Sequence, residues 1–232
     1  HVPMILAPDK TRLTKRHGAV SVLAYRDMGY LPHALLNSLA RLGWSYGDQE
    51  KFTKEELIEK FSLKNVGKSA GVFNADKLLD LNAWYIRNAS DEFLARELIP
   101  FLQQFGLKGQ EQQKVKEVVA TLKSRSKTLL DMAEGALFYF QEEITYEKNA
   151  DDKFLKPDIL GLLEDIHGRL EKASEFNQAE LEKIFVAFLK DNEIKLKKVA
   201  QPLRVALTGK TASPGIFEVM EILGRKKGLE RP

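Results

Sequence analysis

The chain reads Tyr30-Leu31-Pro32-His33-Ala34-Leu35-Leu36-Asn37-Ser38-Leu39-Ala40-Arg41-Leu42-Gly43-Trp44 near its amino-terminal end. Proline suits the first position of a helix and glycine its end, so the stretch predicts a helix that begins at Pro32 and ends at Gly43. Its leucines recur at helical spacing and predict one buried apolar face. That face comprises Leu35, Leu36, Leu39 and Leu42.

Helical patterns continue on both sides of this stretch. Upstream, a short helix ends at Gly29, and an extended segment from His1 to Pro8 is punctuated by prolines. Downstream, Thr53 and Glu56 form a capping-box pattern that opens the next helix. The apolar positions that follow this box are Leu57, Ile58 and Phe61.

Helical signals extend to the end of the chain. Asn74, Ser90, Pro157 and Asn177 each suit the start of a helix. The polar stretch 145–153 predicts a linker between helical units. Near the end, 201–209 predicts a helix ended by Gly209. Ser213 as N-cap and Pro214 at the first helical position then predict a last helix that ends at Gly224. The sequence therefore predicts an all-α fold.

Composition narrows the function classes. The 232 residues carry a net charge of +3 and no cysteine, which excludes disulfides, thiol nucleophiles and Cys-ligated zinc. No apolar run approaches the ~20 residues of a membrane span, and we expect no signal peptide. We therefore expect a cytoplasmic protein that acts away from membranes. Because the chain starts at His1, we interpret it as part of a longer protein.

A basic loop lies at Lys10–Val20, with Arg12, Lys15 and Arg16 close together. Leu13 can anchor this loop, and Thr14 adds a hydroxyl. Ammonium, guanidinium, hydroxyl and backbone N–H groups suit a polyphosphate. A solvated basic turn explains the charges equally well. The histidines lack paired metal-ligand spacing, so we expect no metal site.

The residue order in this loop carries more information than its charge. Arg12-Leu13-Thr14-Lys15-Arg16-His17-Gly18-Ala19 resembles the second signature of class I aminoacyl-tRNA synthetases, in the Lys-Leu-Ser-Lys-Arg-His-Gly-Ala form of glutamyl-tRNA synthetases. The resemblance implies that Lys15 stabilises the phosphates of ATP during adenylate formation. Arg12 and Thr14 replace Lys and Ser and keep the charge and the hydroxyl, although Arg and Lys are not equivalent donors.

Two further regions are similar to the same family. Gly29-Tyr30-Leu31-Pro32 with Leu42-Gly43-Trp44-Ser45 resembles the stem-contact segment, which by analogy braces the inner corner of the tRNA. Ala200–Gly209 followed by Ser213–Glu218, which begins Ser213-Pro214-Gly215, resembles the closing anticodon-binding motif of bacterial-type glutamyl-tRNA synthetases. The resemblance implies that Arg204, Ser213 and Pro214 contact anticodon bases. An ordinary capped helix with a surface arginine would show the same local residues.

Arg125-Ser126-Lys127-Thr128-Leu129 resembles the segment of this family whose arginine contacts the third anticodon base. That base differs between glutamate tRNA and glutamine tRNA, so Arg125 is implied to discriminate between them. A plain surface arginine is the alternative.

The resemblance covers the whole chain and implies four regions. Residues 1–20 would be a remnant of the catalytic domain, 21–90 the stem-contact domain, and 91–150 and 151–232 two helical anticodon-binding subdomains. The intact enzyme would activate glutamate with ATP and Mg²⁺ and transfer it to tRNA(Glu). We expect this chain alone to be a monomer that binds the tRNA without aminoacylation and holds no ATP, and we expect its signature loop to be mobile. The alternative is a free-standing helical RNA-binding or protein-interaction module without catalysis.

Overall fold

A computed structural model describes residues 3–14 and 21–231. Within this range the chain forms twelve α-helices and a two-stranded sheet, which confirms the all-α prediction. The helices group into two compact units. The first comprises His1–Phe101 and Lys123–Glu134, and the second comprises Leu102–Leu122 and Gly135–Pro232. The four predicted domain boundaries stay a prediction.

In the first unit a short strand lies within the extended segment predicted at His1–Pro8. Strand β1 (Ile5–Leu6) pairs in parallel with β2 (Gly71–Val72), which joins the amino-terminal segment to the connection just before Ala75. The helices of this unit are α1 (Val22–Asp27), α2 (Pro32–Arg41), α3 (Lys54–Lys60), α4 (Ala75–Asn88) and most of α5 (Asp91–Gln104). A 3-10 turn (Leu63–Asn65) precedes β2. Helix α2 packs against α4.

The predicted helix starts of the first unit are confirmed. Pro32 occupies the first turn of α2, and the capping box of Thr53 and Glu56 is formed. Asn74 caps α4 by accepting a hydrogen bond from Lys77 N. Ser90 accepts from Phe93 N at the start of α5. Such caps satisfy backbone donors that have no partner inside the helix.

Two predicted apolar faces are wrong in part. Leu35 and Leu57 are buried, whereas Leu36, Leu39, Ile58 and Phe61 are exposed, Ile58 by 73%. The buried face of α2 is completed by Ala34 and by the amide of Asn37. Helical spacing alone does not predict which residues of α2 are buried, because the buried face includes a hydrogen-bonded polar residue in place of leucine.

Asn37 is fully buried and joins α2 to the segment before α3. Its Nδ2 donates to Glu50 O at 2.9 Å, and its Oδ1 accepts from Phe52 N at 2.8 Å. The Tyr85 hydroxyl from α4 donates to the Phe52 carbonyl oxygen and lies 3.0 Å from Asn37 Oδ1. Burial raises the pKa of Tyr85 to about 12. A buried amide is tolerated here because its polar atoms are paired.

The second unit contains the remaining helices. They are α6 (Gln112–Leu122), the end of α7 (Leu129–Phe140), α8 (Ala150–Phe154), α9 (Pro157–Glu171), α10 (Gln178–Asp191), α11 (Leu196–Thr208) and α12 (Ile216–Glu230). Helix α11 packs against α8, α9 and α12, and α12 also contacts α6, α9 and α10. The core is formed by residues such as Val118, Phe185, Val205 and Val219, all nearly inaccessible to solvent.

Helix α5 continues past Pro100 to Gln104. Two details differ from the predicted helix bounds. Helix α11 begins at Leu196 rather than at 201 and runs without a break through Pro202. The predicted linker 145–153 contains α8, which packs against α11. Gly224 has a left-handed φ of 76° and interrupts α12, which agrees with the predicted helix end there.

Basic residues after the Gly224 kink bind the carboxyl ends of other helices. Arg225 donates to Glu171 O and Ala173 O at the end of α9. Arg231 donates to Phe138 O and Gln141 O at the end of α7, and to the Leu207 carbonyl oxygen in α11. Cations are stabilising at helix carboxyl ends, where carbonyl oxygens lack partners. These charges therefore serve the fold of the second unit.

Candidate nucleic-acid interface

The segment that leads to the signature loop is built by a tight turn. Asp9 Oδ1 accepts from Thr11 N and Thr11 Oγ1 at 3.0 and 2.7 Å, and Leu13 N donates to Ile5 O. Leu13 packs on the core cluster of Leu35, Phe73 and Leu78. This confirms that Leu13 anchors the segment, while Arg12 and Thr14 are exposed beside it.

The rest of the signature loop, Lys15–Val20, lies outside the described residues. Lys15 and Arg16, the main phosphate-binding candidates, belong to it, so the predicted mobility of the loop stays a prediction. No helix in 3–14 and 21–231 is both long and apolar enough to cross a membrane. Within the same residues no cluster of three His, Asp or Glu side chains could hold a metal ion.

Arg125 stands on a short segment between α6 and α7, which we call the Arg125 segment (Lys123–Thr128). Lys123 Nζ pairs with Asp91 at 2.7 Å, and Lys127 Nζ pairs with Asp80 at 3.3 Å. Arg125 itself is exposed and has no hydrogen bond or ion pair with any residue in the described ranges. The two lysines of the segment are thus paired with aspartates of α5 and α4, and the Arg125 guanidinium is left available to a ligand.

The carboxyl end of the Arg125 segment is fixed by local hydrogen bonds. Lys127 N donates to Asp131 Oδ2 at 2.8 Å, and Thr128 Oγ1 accepts from Asp131 N at 3.0 Å. This exchange stabilises the start of α7, because a side-chain oxygen there satisfies a backbone donor that the helix leaves unpaired. Sequence reasoning identified Arg125 but not this support.

A second cluster surrounds Arg204 on α11. Arg204 Nε donates to Ser213 Oγ at 3.0 Å, and Nη1 donates to Gln201 Oε1 at 2.7 Å. Its Nη2 has no hydrogen-bond partner among the residues that the structure describes. Arg204 is half-buried, and Ser213 is 8% exposed. Two of the predicted anticodon residues are therefore in direct contact, and Pro214 follows immediately.

The predicted role of Ser213 as helix N-cap is wrong. Helix α12 begins at Ile216 with Gly215 as its N-cap, and Gly215 N donates to Glu218 Oε2 at 3.1 Å. Ser213 Oγ cannot cap the helix because it accepts from Arg204 and donates to Pro214 O. Pro214 lies just before the N-cap and is buried. The Ser213 hydroxyl thus orients Arg204 rather than capping α12.

The turn 209–213 that carries Ser213 is held by Glu147. Glu147 Oε2 accepts from Thr211 N at 2.8 Å and from Thr211 Oγ1 at 2.6 Å, and Glu147 N donates to Gly209 O. The hydrogen bonds from Thr211 hold the pKa of Glu147 below its ordinary value. Gly209 has a φ of 70°, and a side chain there would stand 2.3 Å from Thr145 O. No sequence signal identified Glu147, because it lies 64 residues from Thr211.

A groove in the first unit collects further cations. It has a volume of about 470 Å³ and is lined between α2 and α4 by Arg41, Lys51, Lys77 and Arg87, with Glu50 and Asp80. Arg41 pairs with Glu50, and Lys51 lies over the Trp84 ring. Among the described residues, Lys77 and Arg87 have no acidic partner. The groove can therefore bind an anionic backbone without breaking existing ion pairs.

Two family models match this chain in sequence order. Residues 1–80 match the catalytic domain of tRNA synthetases class I (E and Q), and residues 93–231 match the anticodon binding domain. The second match alone covers more than half of the chain.

Similar proteins carry one function name. The chain is 52% identical over 227 residues to a glutamate–tRNA ligase of Geotalea uraniireducens, covering 98% of the chain and 49% of that protein. It is 51% identical over 231 residues to a glutamate–tRNA ligase of Geobacter sulfurreducens, covering 100% of the chain and 50% of that protein. The chain thus spans about half the length of the curated relatives it matches.

Solved structures agree with the fold. A glutamate tRNA ligase from Elizabethkingia meningosepticum, crystallised in complex with its amino acid, superimposes with a TM-score of 0.86 at 24% identity, over 99% of this chain and 49% of that one. A glutamate-tRNA synthetase from Elizabethkingia anophelis gives a TM-score of 0.83. At this identity the likeness concerns the fold.

Proposed function

Because the chain belongs to the anticodon-binding family of class I tRNA synthetases, we propose that it is the tRNA-binding part of a glutamate–tRNA ligase. It binds the anticodon and the inner corner of tRNA(Glu). The intact enzyme activates glutamate with ATP and transfers it to this tRNA. The observation that carries the proposal is the anticodon-domain match over 93–231, inside which Arg204 is oriented by Gln201 and Ser213.

The Arg204 cluster supports base recognition on chemical grounds. Anticodon bases are unpaired in the free tRNA, so they can be splayed out, stacked on a guanidinium plane and hydrogen-bonded at their edges. The Nε and Nη1 atoms of Arg204 donate hydrogen bonds within the protein, which leaves Nη2 and the planar face of the guanidinium available to an RNA base. Ser213 and Pro214 are buried beside Arg204 and contribute by holding its guanidinium in place, because Ser213 Oγ accepts from Nε and donates to Pro214 O.

Arg125 supports selective binding of glutamate tRNA over glutamine tRNA. Its guanidinium has no internal partner, so a base edge that binds it replaces only water. We assign it to the third anticodon base, which is C in glutamate tRNA and G in glutamine tRNA. A donor-only guanidinium can bind the acceptors N3 and O2 at the Watson–Crick edge of C, whereas the same edge of G presents the donors N1–H and N2–H2 beside a single acceptor.

The groove between α2 and α4 supports contact with the tRNA inner corner. Lys77 and Arg87 are cations without acidic partners there, and phosphates are neutralised by such side chains. The groove extends the proposed RNA contact beyond the anticodon. It contributes affinity rather than sequence selectivity, because phosphate contacts carry no base information.

The signature loop supports ATP use by the intact enzyme. Arg12 and Thr14 are exposed and offer a guanidinium and a hydroxyl beside Lys15, the residue we assign to the ATP phosphates. ATP is used together with Mg²⁺, but residues 3–14 and 21–231 contain no cluster of three carboxylate or imidazole side chains that could hold a metal ion. We assign no metal ligand to this chain. We further propose a cytoplasmic monomer with the four regions 1–20, 21–90, 91–150 and 151–232.

Filter binding of the chain to glutamate tRNA transcripts across a salt series tests the proposal. We expect affinity to fall steeply with salt and to fall when the anticodon is replaced. Lys77→Ala and Arg87→Ala should each lower the salt slope by about one without changing anticodon preference. Arg26→Gln is the matched control, since Arg26 already pairs with Asp27. Affinity that responds neither to salt nor to the anticodon would favour a protein-interaction module instead.

A further inference from the structure

Asn82 is a buried amide at the middle of α4 that joins two distant segments. It is 0% exposed. Its Oδ1 accepts from Leu31 N at 2.8 Å, at the start of α2, and its Nδ2 donates to Lys127 O at 2.6 Å, in the Arg125 segment. Leaving a buried amide unpaired costs more than making the bond gains. Both segments are therefore tied to α4 at fixed positions.

Gly29 fixes the backbone next to Lys127 through a second hydrogen bond. Gly29 O accepts from Leu129 N at 2.9 Å, two residues after the Lys127 carbonyl that Asn82 binds. Gly29 has a φ of 82°, and a side chain there would stand 2.4 Å from Leu130 N. The backbone of Lys127–Leu129 is thus clamped between Asn82 and Gly29, and Arg125 stands two residues before this clamp.

We propose that Asn82 is the positioning residue for Arg125: its amide, with Gly29, fixes the backbone that presents the Arg125 guanidinium to the third anticodon base. This inference rests on the proposed function. Arg125 has no side-chain partner in the described residues, so only the backbone directs it. A residue that recognises a base edge must be placed closely, because hydrogen bonds weaken steeply with misalignment.

Asn37 provides a matched control. It is equally buried, lies in the same unit, and also accepts from one backbone N–H (Phe52) and donates to one backbone carbonyl (Glu50). The substitutions Asn82→Asp and Asn37→Asp each keep the acceptor oxygen and remove the Nδ2 donor. Only Asn82→Asp releases the Arg125 segment. General damage to the unit should therefore be similar in the two variants.

The experiment compares affinities for tRNA(Glu) and for the same transcript with its third anticodon base changed from C to G, below the melting midpoint of every variant. We expect Asn82→Asp to lower this discrimination roughly tenfold, close to the effect of Arg125→Ala. Asn37→Asp should leave it within about twofold of wild type. In an Arg125→Ala background, Asn82→Asp should change nothing further, because residues that act as one unit are not additive.

Asp131→Ala guards against a folding failure of Asn82→Asp. Asp131 is exposed and holds Lys127 N from outside the core, so its loss should loosen the same segment and reduce discrimination in the same direction. Unchanged discrimination in a folded Asn82→Asp protein would overturn the inference. So would unchanged discrimination in Asp131→Ala if Asn82→Asp does not fold, or a loss that persists without Arg125.

The outcomes separate this inference from the proposed function. A wild-type chain that binds no tRNA contradicts the proposed function. Wild-type binding without discrimination at the third base contradicts the role of Arg125 and, with it, that of Asn82. Arg125-dependent discrimination that survives Asn82→Asp contradicts the role of Asn82 alone.

Discussion

Arg125 and Arg204 are proposed to read the same anticodon, but the protein prepares them differently. Arg204 is half-buried, and two hydrogen bonds from its guanidinium to Ser213 and Gln201 fix the side chain itself. Arg125 is exposed, and only the backbone beneath it is fixed, through Asn82 and Gly29. One arginine is held by its side chain and the other by its main chain.

This difference predicts how each arginine contributes to binding. Ordering a free side chain at an interface costs conformational entropy, and Arg204 has lost that freedom before RNA arrives. Arg204 should therefore contribute more affinity. Arg125 keeps its rotamers and should contribute selectivity at a cost in affinity.

Replacing Arg204 should give the largest loss. Arg204→Ala removes the planar donor and should lower affinity for tRNA(Glu) roughly ten- to a hundredfold in filter binding. Arg204→Lys keeps the charge but cannot reproduce the fork of donors, so it should lose almost as much. Full affinity in the lysine variant would show that Arg204 acts as a charge alone, and the comparison with Arg125 would lose its basis.

Arg125→Gln should change selectivity more than affinity. We expect the preference for tRNA(Glu) over the C-to-G transcript to fall roughly fivefold or more. The melting midpoint should not move, because Arg125 is exposed and unpaired among the described residues. Arg87→Gln is the matched control: another unpaired arginine of the first unit, expected to weaken both transcripts equally. Equal selectivity loss in the two variants would contradict the assignment.

Ser213→Ala should produce a smaller loss that acts through Arg204. Removing the hydroxyl frees Nε of Arg204 and should weaken tRNA binding by roughly two- to tenfold. Thr208→Val is the control on the same turn, because the Thr208 hydroxyl donates to the Arg204 carbonyl oxygen rather than binding the guanidinium. It should lower the melting midpoint and spare affinity. The reverse pattern would contradict the proposed role of Ser213.

The smallest effect concerns pH. The folded-state pKa of Glu147 is lowered, so its contribution is present above the ordinary value of 4.5 and is lost as pH falls through the folded-state pKa. The melting midpoint of wild type should therefore exceed that of Glu147→Gln at neutral pH, and the gap should close in acid. Glu143→Gln, at an exposed glutamate without a described partner, should show no gap. A gap that widens in acid would contradict this account.

Much of the fold was predictable because its signals are local. Pro32, Asn74 and the Thr53–Glu56 box act within one turn of helix, and each is found where the sequence places it. Arg204 and Ser213 were also grouped correctly, since they lie nine residues apart on one helix and the turn after it. Such features require no knowledge of how distant segments meet.

The remainder depends on contacts between distant residues. Ser213 fits an N-cap by sequence, yet Arg204 competes for its hydroxyl and Gly215 takes the cap. Asn82 and Lys127 are 45 residues apart, and nothing in either sequence neighbourhood marks them as partners. Leu36 and Leu39 have helical spacing but face solvent, because Asn37 occupies the buried side. Support for the site is therefore less predictable than the site itself.

Chemical footprinting of tRNA(Glu) in complex with the chain tests the central claim most directly. We predict protection of the three anticodon bases by wild type. Arg204→Ala should remove most of this protection, and Arg125→Gln should remove it at the third base alone. Protection confined to other parts of the tRNA, or an anticodon footprint unchanged in both variants, would contradict the account.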